Sequence, residues 1–161
     1  MPMRYAAVII VCLFTSMCLC GCSNFSETHS TLDVDLSQTV KLQVLYNEHI
    51  YNTKVSYDGK NMHMSFEDDD APYNGTQVKI NSQSYNISYM DMKFHGELKS
   101  LVTSFMPVIV YNSFGGKSIL HFEEYDVNSE CYILSQNASG CFLEYSAYTK
   151  NNEIYLYLEI K

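Results

Sequence analysis

The sequence predicts a mainly β, α+β fold: one antiparallel sheet of about eight or nine strands crossed by one or two helices. Three observations carry this. Apolar and polar residues alternate with a period of two along most of the chain, clusters of Asn, Asp, Ser and Gly break that alternation at short intervals, and only one segment changes to a helical period. With 161 residues and 47% hydrophobic content, the chain has the length and apolar surface for one domain with its own core.

The first strands follow from Val40, Leu42, Val44 and Tyr46, which alternate with Lys41, Gln43 and Asn47. Tyr51, Thr53, Val55 and Tyr57 repeat the pattern, an Asp58-Gly59 turn follows, and Met62, Met64 and Phe66 form a third strand. The stretch "FEDDDAPYNG" interrupts with a proline, an Asn-Gly pair and four acids, so it reads as a loop. Strands at residues 77–81 and 85–92 come next. In "HGELKSLVTSFMPVIVYNSF" the residues Leu98, Leu101, Val102 and Phe105 fall at i, i+3, i+4 and i+7, which predicts one apolar helical stripe. Pro107 then kinks that helix or starts a second one, because it lacks an amide proton for the preceding turn. After Gly115-Gly116, strands are expected over 118–124, 131–134, 141–148 and 154–160, joined by "DVNSE", "SQNASG" and "TKNNE". The last strand, "IYLYLEI", is so rich in β-formers that it must be paired inside the sheet or covered.

The N-terminus breaks from this pattern. Arg4 precedes an almost wholly apolar run to Cys20, which is short for a membrane span of about twenty residues and has the layout of a secretory signal peptide. The run ends "MCLCGCSN". Its Leu19-Cys20-Gly21-Cys22 resembles the bacterial lipobox, in which a small residue precedes a cysteine that is acylated before cleavage. Of these cysteines only Cys22 follows a small residue; Cys20 follows Leu19 and Cys18 follows Met17. The expected organisation is therefore a signal peptide over 1–21 cleaved between Gly21 and Cys22, a lipidated tether over 22–38, and a β domain over 39–161. Two or three acyl chains on Cys22 would hold the protein at the extracytoplasmic face of the cell membrane, where a single chain binds only marginally. The chain left after cleavage has nine lysines, no arginine and eighteen acids, so nucleic acid is not an expected partner.

The lipobox, the short tether, the three meandering strands, the "FEDDDAPYNG" junction and the helix with four closing strands together resemble the LolA-like lipoprotein carrier superfamily, in its small Gram-positive branch. Phe66, Pro72 and Gly75 are the positions that align individually. The resemblance implies a curved, incomplete antiparallel barrel whose open side is covered by helices, with an apolar interior for acyl chains or partner proteins. Soluble carriers of that superfamily use an arginine to hold the lid, whereas this chain has none after Cys22 and is itself tied down.

Other residue patterns narrow the chemistry. The acids Glu67 to Asp70 lack the spacing and glycine of a calcium loop and read as a solvated turn. His29, His49, His63, His95 and His121 are scattered without a second ligand at helical or strand spacing, so no metal and no cofactor is expected. There is no G-x-S-x-G elbow and no singled-out carboxylate pair, and the expectation is a protein that is not an enzyme. Cys131 and Cys141 are the cysteines beyond Cys22. A secreted setting favours a disulfide between them worth roughly 2 to 3 kcal/mol, whereas a hairpin turning at "SQNASG" would set their sulfurs on the order of 10 Å apart.

Two functions fit. In the first, the sheet and the helix bearing Leu98, Leu101, Val102 and Phe105 enclose a cavity for a lipid or other apolar ligand, with that stripe as lining or lid. In the second, the core is filled and the protein is a structural or protein-interaction lipoprotein. Fourteen tyrosines and eight phenylalanines suit either, since aromatic residues line cavities and also favour strands.

Overall fold

The computed structural model describes residues 31–69 and 71–161. The expected signal peptide and the lipobox residues Gly21 and Cys22 lie outside the described residues.

Twelve strands and one α-helix follow one another: β1 (Leu32–Asp35), β2 (Val40–Tyr46), β3 (His49–Tyr57), β4 (Met62–Phe66), β5 (Gln77–Ile80), β6 (Ser84–Tyr89), β7 (Met92–Glu97), α1 (Met106–Ser113), β8 (Ile119–Phe122), β9 (Glu124–Asp126), β10 (Cys131–Ala138), β11 (Cys141–Lys150) and β12 (Glu153–Ile160). A 3-10 turn over Leu98–Ser100 follows β7. Ten strands form one open sheet in the order β7-β6-β5-β4-β3-β2-β12-β11-β10-β9, not closed into a barrel, and β1 pairs with β8 as a separate ribbon. The fold is mainly β as expected, with more strands than the eight or nine read from the alternation.

Three strands escaped that reading. β1 lies in the expected 22–38 tether, and Leu36 just after it is fully buried, so the folded body starts well before residue 39. β9 is three residues long. β7 occupies a stretch too polar and too exposed to alternate visibly, "MKFHGE". The sheet is also not antiparallel throughout: β12 pairs with β2 in parallel, Leu156 opposite Leu42 and Leu158 opposite Val44. This seam joins an N-terminal meander, β2 to β7, to a C-terminal one, β9 to β12. It places the apolar β12 between β11 and β2, where both its edges are paired, as its composition demands.

Tight hairpins explain the long ladders. Asn47-Glu48, Ser139-Gly140 and Asn151-Asn152 all have positive φ at both positions, the twist that two-residue hairpins need and that Asn and Gly adopt readily. The strands therefore run further into "SQNASG" and "TKNNE" than the turn-rich composition suggests.

One face of the sheet carries the core. Leu42, Val44, Val55, Met62, Met64, Val78, Ile80, Leu143, Tyr145 and Leu158 point to it and are buried, while Lys41, Lys54, His63, Lys79, Glu144 and Glu159 alternate outward. α1 lies against this face and touches both β5 and β10. Those strands are six places apart, roughly 29 Å across a flat sheet, whereas an eight-residue helix is only about 12 Å long. The sheet must therefore curl around the helix. Pro107 sits in the first turn of α1, where a missing amide proton costs nothing, so it starts the helix instead of kinking it. Gly115 and Gly116, at φ +57° and +79°, end it.

The expected stripe of Leu98, Leu101, Val102 and Phe105 does not lie on one helix. Leu98 is in the 3-10 turn, Leu101 and Val102 are in irregular chain, and Phe105 is the residue before α1. Leu98, Leu101 and Phe105 pack partly buried against the core, whereas Val102 is 67% exposed.

Candidate functional site

The space between α1 and the sheet is filled. Met106, Pro107, Val108, Ile109, Val110 and Ser113 are all buried, so the helix is apolar on nearly every side. Ile109, Val110, Phe122, Leu143, Tyr145 and Leu158 are 0% exposed and touch no water-sized void. The Tyr145 hydroxyl meets that of Ser113, which also donates to the Val110 carbonyl at 2.6 Å. Burial pushes the Tyr145 phenol far up, so it stays protonated. Gln136 on β10 donates to the Ser113 carbonyl at 2.8 Å and satisfies the C-terminal end of α1.

Where helix and sheet part, an open cleft of about 520 Å³ is lined by Tyr57, Tyr111, Asn61, Asn81, Gln83 and Asn112. The two tyrosine rings meet edge to face, with centroids 5.9 Å apart. This hollow is amide-rich and solvent-facing, the opposite of a dry site for an acyl chain.

The acidic loop is held by a chain of hydrogen bonds. Asp68 accepts from the Asn52 backbone N–H at 3.0 Å, from the Asn52 side chain, and from the Tyr73 hydroxyl at 3.1 Å. Because Tyr73 donates to the carboxylate, the His49 Nε2 at 3.1 Å must donate to Tyr73. Partial burial raises the Asp68 carboxyl, and the Asn52 and Tyr73 bonds overrule it and hold it low. Burial and Asp68 push the Tyr73 phenol up, so neither group is poised as a base. The cluster pins the "FEDDDAPYNG" loop to the β2-β3 hairpin. Among the described residues no group of three His, Cys, Asp or Glu is placed to hold a metal.

Cys131 and Cys141 carry free thiols and cannot pair. Cys141 sits opposite Ala138, so Cys131 is seven residues further along its strand, roughly 23 Å away. The two-residue turn, in place of the longer loop expected, moves them further apart.

The β7 edge of the ten-stranded sheet is open. Its inward side chains Met92 and Phe94 are 50% and 54% exposed, and Met90 in the preceding turn is more so. The Leu98 amide donates to the Gln83 carbonyl at 2.8 Å. Antiparallel alternation then puts the bonded β6-β7 pairs at Tyr85/Gly96, Ile87/Phe94 and Tyr89/Met92. Lys93 and His95 therefore turn their backbone N–H and C=O groups toward the open side.

Behind this edge, two rows cross the outer face of the sheet in register. One runs Ser56, His63, Lys79, Asn86, His95, and the other runs Lys54, Ser65, Gln77, Ser88, Lys93. Neither row contains a carboxylate. Lys54 is paired with Glu67 at 2.7 Å, while Lys79 and Lys93 have no ion-pair partner among the described residues. These rows thus carry two lysines without an ion-pair partner among the described residues, Lys79 and Lys93, and end at an unpaired strand. Sequence reasoning missed this site because the residues come from five separate strands and meet only through register.

Comparison with known proteins places no family name on this arrangement: no family model, no curated protein and no solved structure matches the chain.

Proposed function

We propose that this chain is a membrane-anchored extracytoplasmic lipoprotein, tied down through Cys22, that works by recognising a partner on its surface and is not an enzyme. The single observation that carries the surface reading is the filled interior: α1 is buried on nearly every side and its core neighbours touch no void. An acyl chain would have to displace that packing, and core side chains are costly to displace. The anchor reading rests on the Leu19-Cys20-Gly21-Cys22 match and on the apolar run before it. A relationship to LolA-like carriers belongs to the same proposal and is supported by the open, helix-filled sheet. In that relationship this chain keeps the scaffold and has given up the internal ligand.

Two experiments test the reading. Cys22→Ser should prevent acylation, and globomycin should prevent the cleavage that follows acylation, so each leaves unprocessed precursor; unchanged processing under both would sink the anchor. Native mass spectrometry of the gently extracted protein should show one mass, that of the chain with its own N-terminal acyl groups. A stoichiometric noncovalent lipid would instead support the internal-ligand reading.

A further inference from the structure

The geometry points to β7 as a docking edge for an extended segment of another protein in which acidic and apolar residues alternate, bound by strand addition to the ten-stranded sheet. The inference rests on the surface-recognition reading above.

Three features converge on it. First, Lys93 and His95 direct their backbone hydrogen-bonding groups outward from the end of the sheet, so an incoming strand finds a ready ladder. Second, the side chains on either side of that ladder differ by face. Met92 and Phe94 stand half exposed on the inner face, and Lys93 and His95 stand on the outer face, continuous with Lys79 and His63. A strand that continues the sheet must place apolar residues beside Phe94 and polar residues beside Lys93 and His95, and charge complementarity to the Lys93 ammonium favours acidic ones there. Third, Lys93 has no ion-pair partner among the described residues, and the neighbouring Glu97 is paired with Lys99 at 2.7 Å.

The opposite edge does not offer the same chemistry. β9 is three residues long and carries Glu124 and Asp126, which pair toward β10 at Ile133 and Cys131. It is short, as protected edges are, and its acids would repel an acidic strand. β7 is twice as long and apolar on one face.

The test uses the full chain in nonionic detergent and a short fluorescent peptide in which glutamate and valine alternate. This peptide should bind and slow hydrogen exchange at the Lys93 and His95 amides, and the lysine–valine version should not. Lys93→Glu should weaken binding about tenfold, and the affinity should fall with added salt. His95→Pro removes an edge N–H that no β6 group uses, so it should abolish binding while the sheet stays folded; His95→Gln should retain binding. Equal binding of both peptides, or unchanged exchange at Lys93 and His95, overturns the inference. So does self-association that protects those amides without peptide, or binding of phosphatidylglycerol vesicles through Lys93 with no peptide binding. A bound lipid in mass spectrometry would defeat the surface reading, whereas failure of the peptide alone would defeat only this edge.

Discussion

The hydroxyl of Tyr145, at the centre of β11, hydrogen-bonds the hydroxyl of Ser113 in the last turn of α1, and both are buried. The two residues are not equivalent partners. Ser113 donates its one hydroxyl hydrogen to the Val110 carbonyl and so accepts from Tyr145, for which the serine oxygen is the acceptor. Removing the serine hydroxyl leaves a buried phenol unsatisfied; removing the phenol leaves the serine bonded.

Ser113→Ala should therefore destabilise the fold more than Tyr145→Phe. We expect about 1 to 3 kcal/mol for the former and about 0.5 to 1.5 kcal/mol for the latter. The double variant should recover part of the Ser113→Ala loss, because no orphaned hydroxyl remains. Urea unfolding of the four proteins checks the order, and equal single-variant losses would contradict it.

Gly96 on β7 lies beneath the ring of Tyr85. A Cβ at this position would come within 2.9 to 3.1 Å of the ring's outer atoms. The tyrosine covers a gap that the glycine opens near the sheet edge. Gly96→Val should push the ring off the strand and cost on the order of 1 kcal/mol, with most of that cost absent in a Tyr85→Ala background. Thermal unfolding of the cycle, with tyrosine fluorescence following ring exposure, distinguishes this from a simple gain in strand propensity.

His121 on β8 faces Asp33 on β1 directly across the ribbon, and the two side chains are hydrogen-bonded. That bond, with Glu123 adding to it, raises the imidazole above its ordinary 6.5. The raised folded value means that the interaction contributes fully below about pH 6.5 and is lost as pH rises through the folded value. Amide exchange in β1 should accelerate over that interval. Asp33→Asn should return the His121 titration, followed by NMR, toward its ordinary midpoint and remove the pH dependence.

Reducing agent should leave the melting temperature unchanged, because Cys131 and Cys141 are far apart along β10 and β11. Non-reducing peptide mapping should find both as thiols. A Cys131 to Cys141 crosslink would require a different strand register.

Legibility varied element by element. β2, β3 and β4 were readable because each buries one face and exposes the other, so Val44 and Met64 alternate with Gln43 and His63. α1 was readable at its start, through Pro107, but not along its length, and the physical reason is the reverse. A helix buried on nearly every side has little polar face, so "MPVIVYNS" shows no helical period. The segment that did show the period, from Leu98 to Phe105, is turns and irregular chain whose apolar residues meet the core one at a time. Local spacing there matched a helix without a helix forming.

By itself the sequence determined the mainly β class, the position of most strands, the need to pair or cover β12, and the expectation of an acylated Cys22. These follow from period-two alternation, from β-rich composition and from a leader motif, all of which act over a few neighbouring residues. Only the tertiary structure decided that α1 fills the sheet, that β2 and β12 meet in parallel, that Cys131 and Cys141 stay apart, and that Lys93 and His95 line an open edge. Those outcomes depend on register between strands distant in sequence, and register is set by turn geometry and by the packing of the whole core.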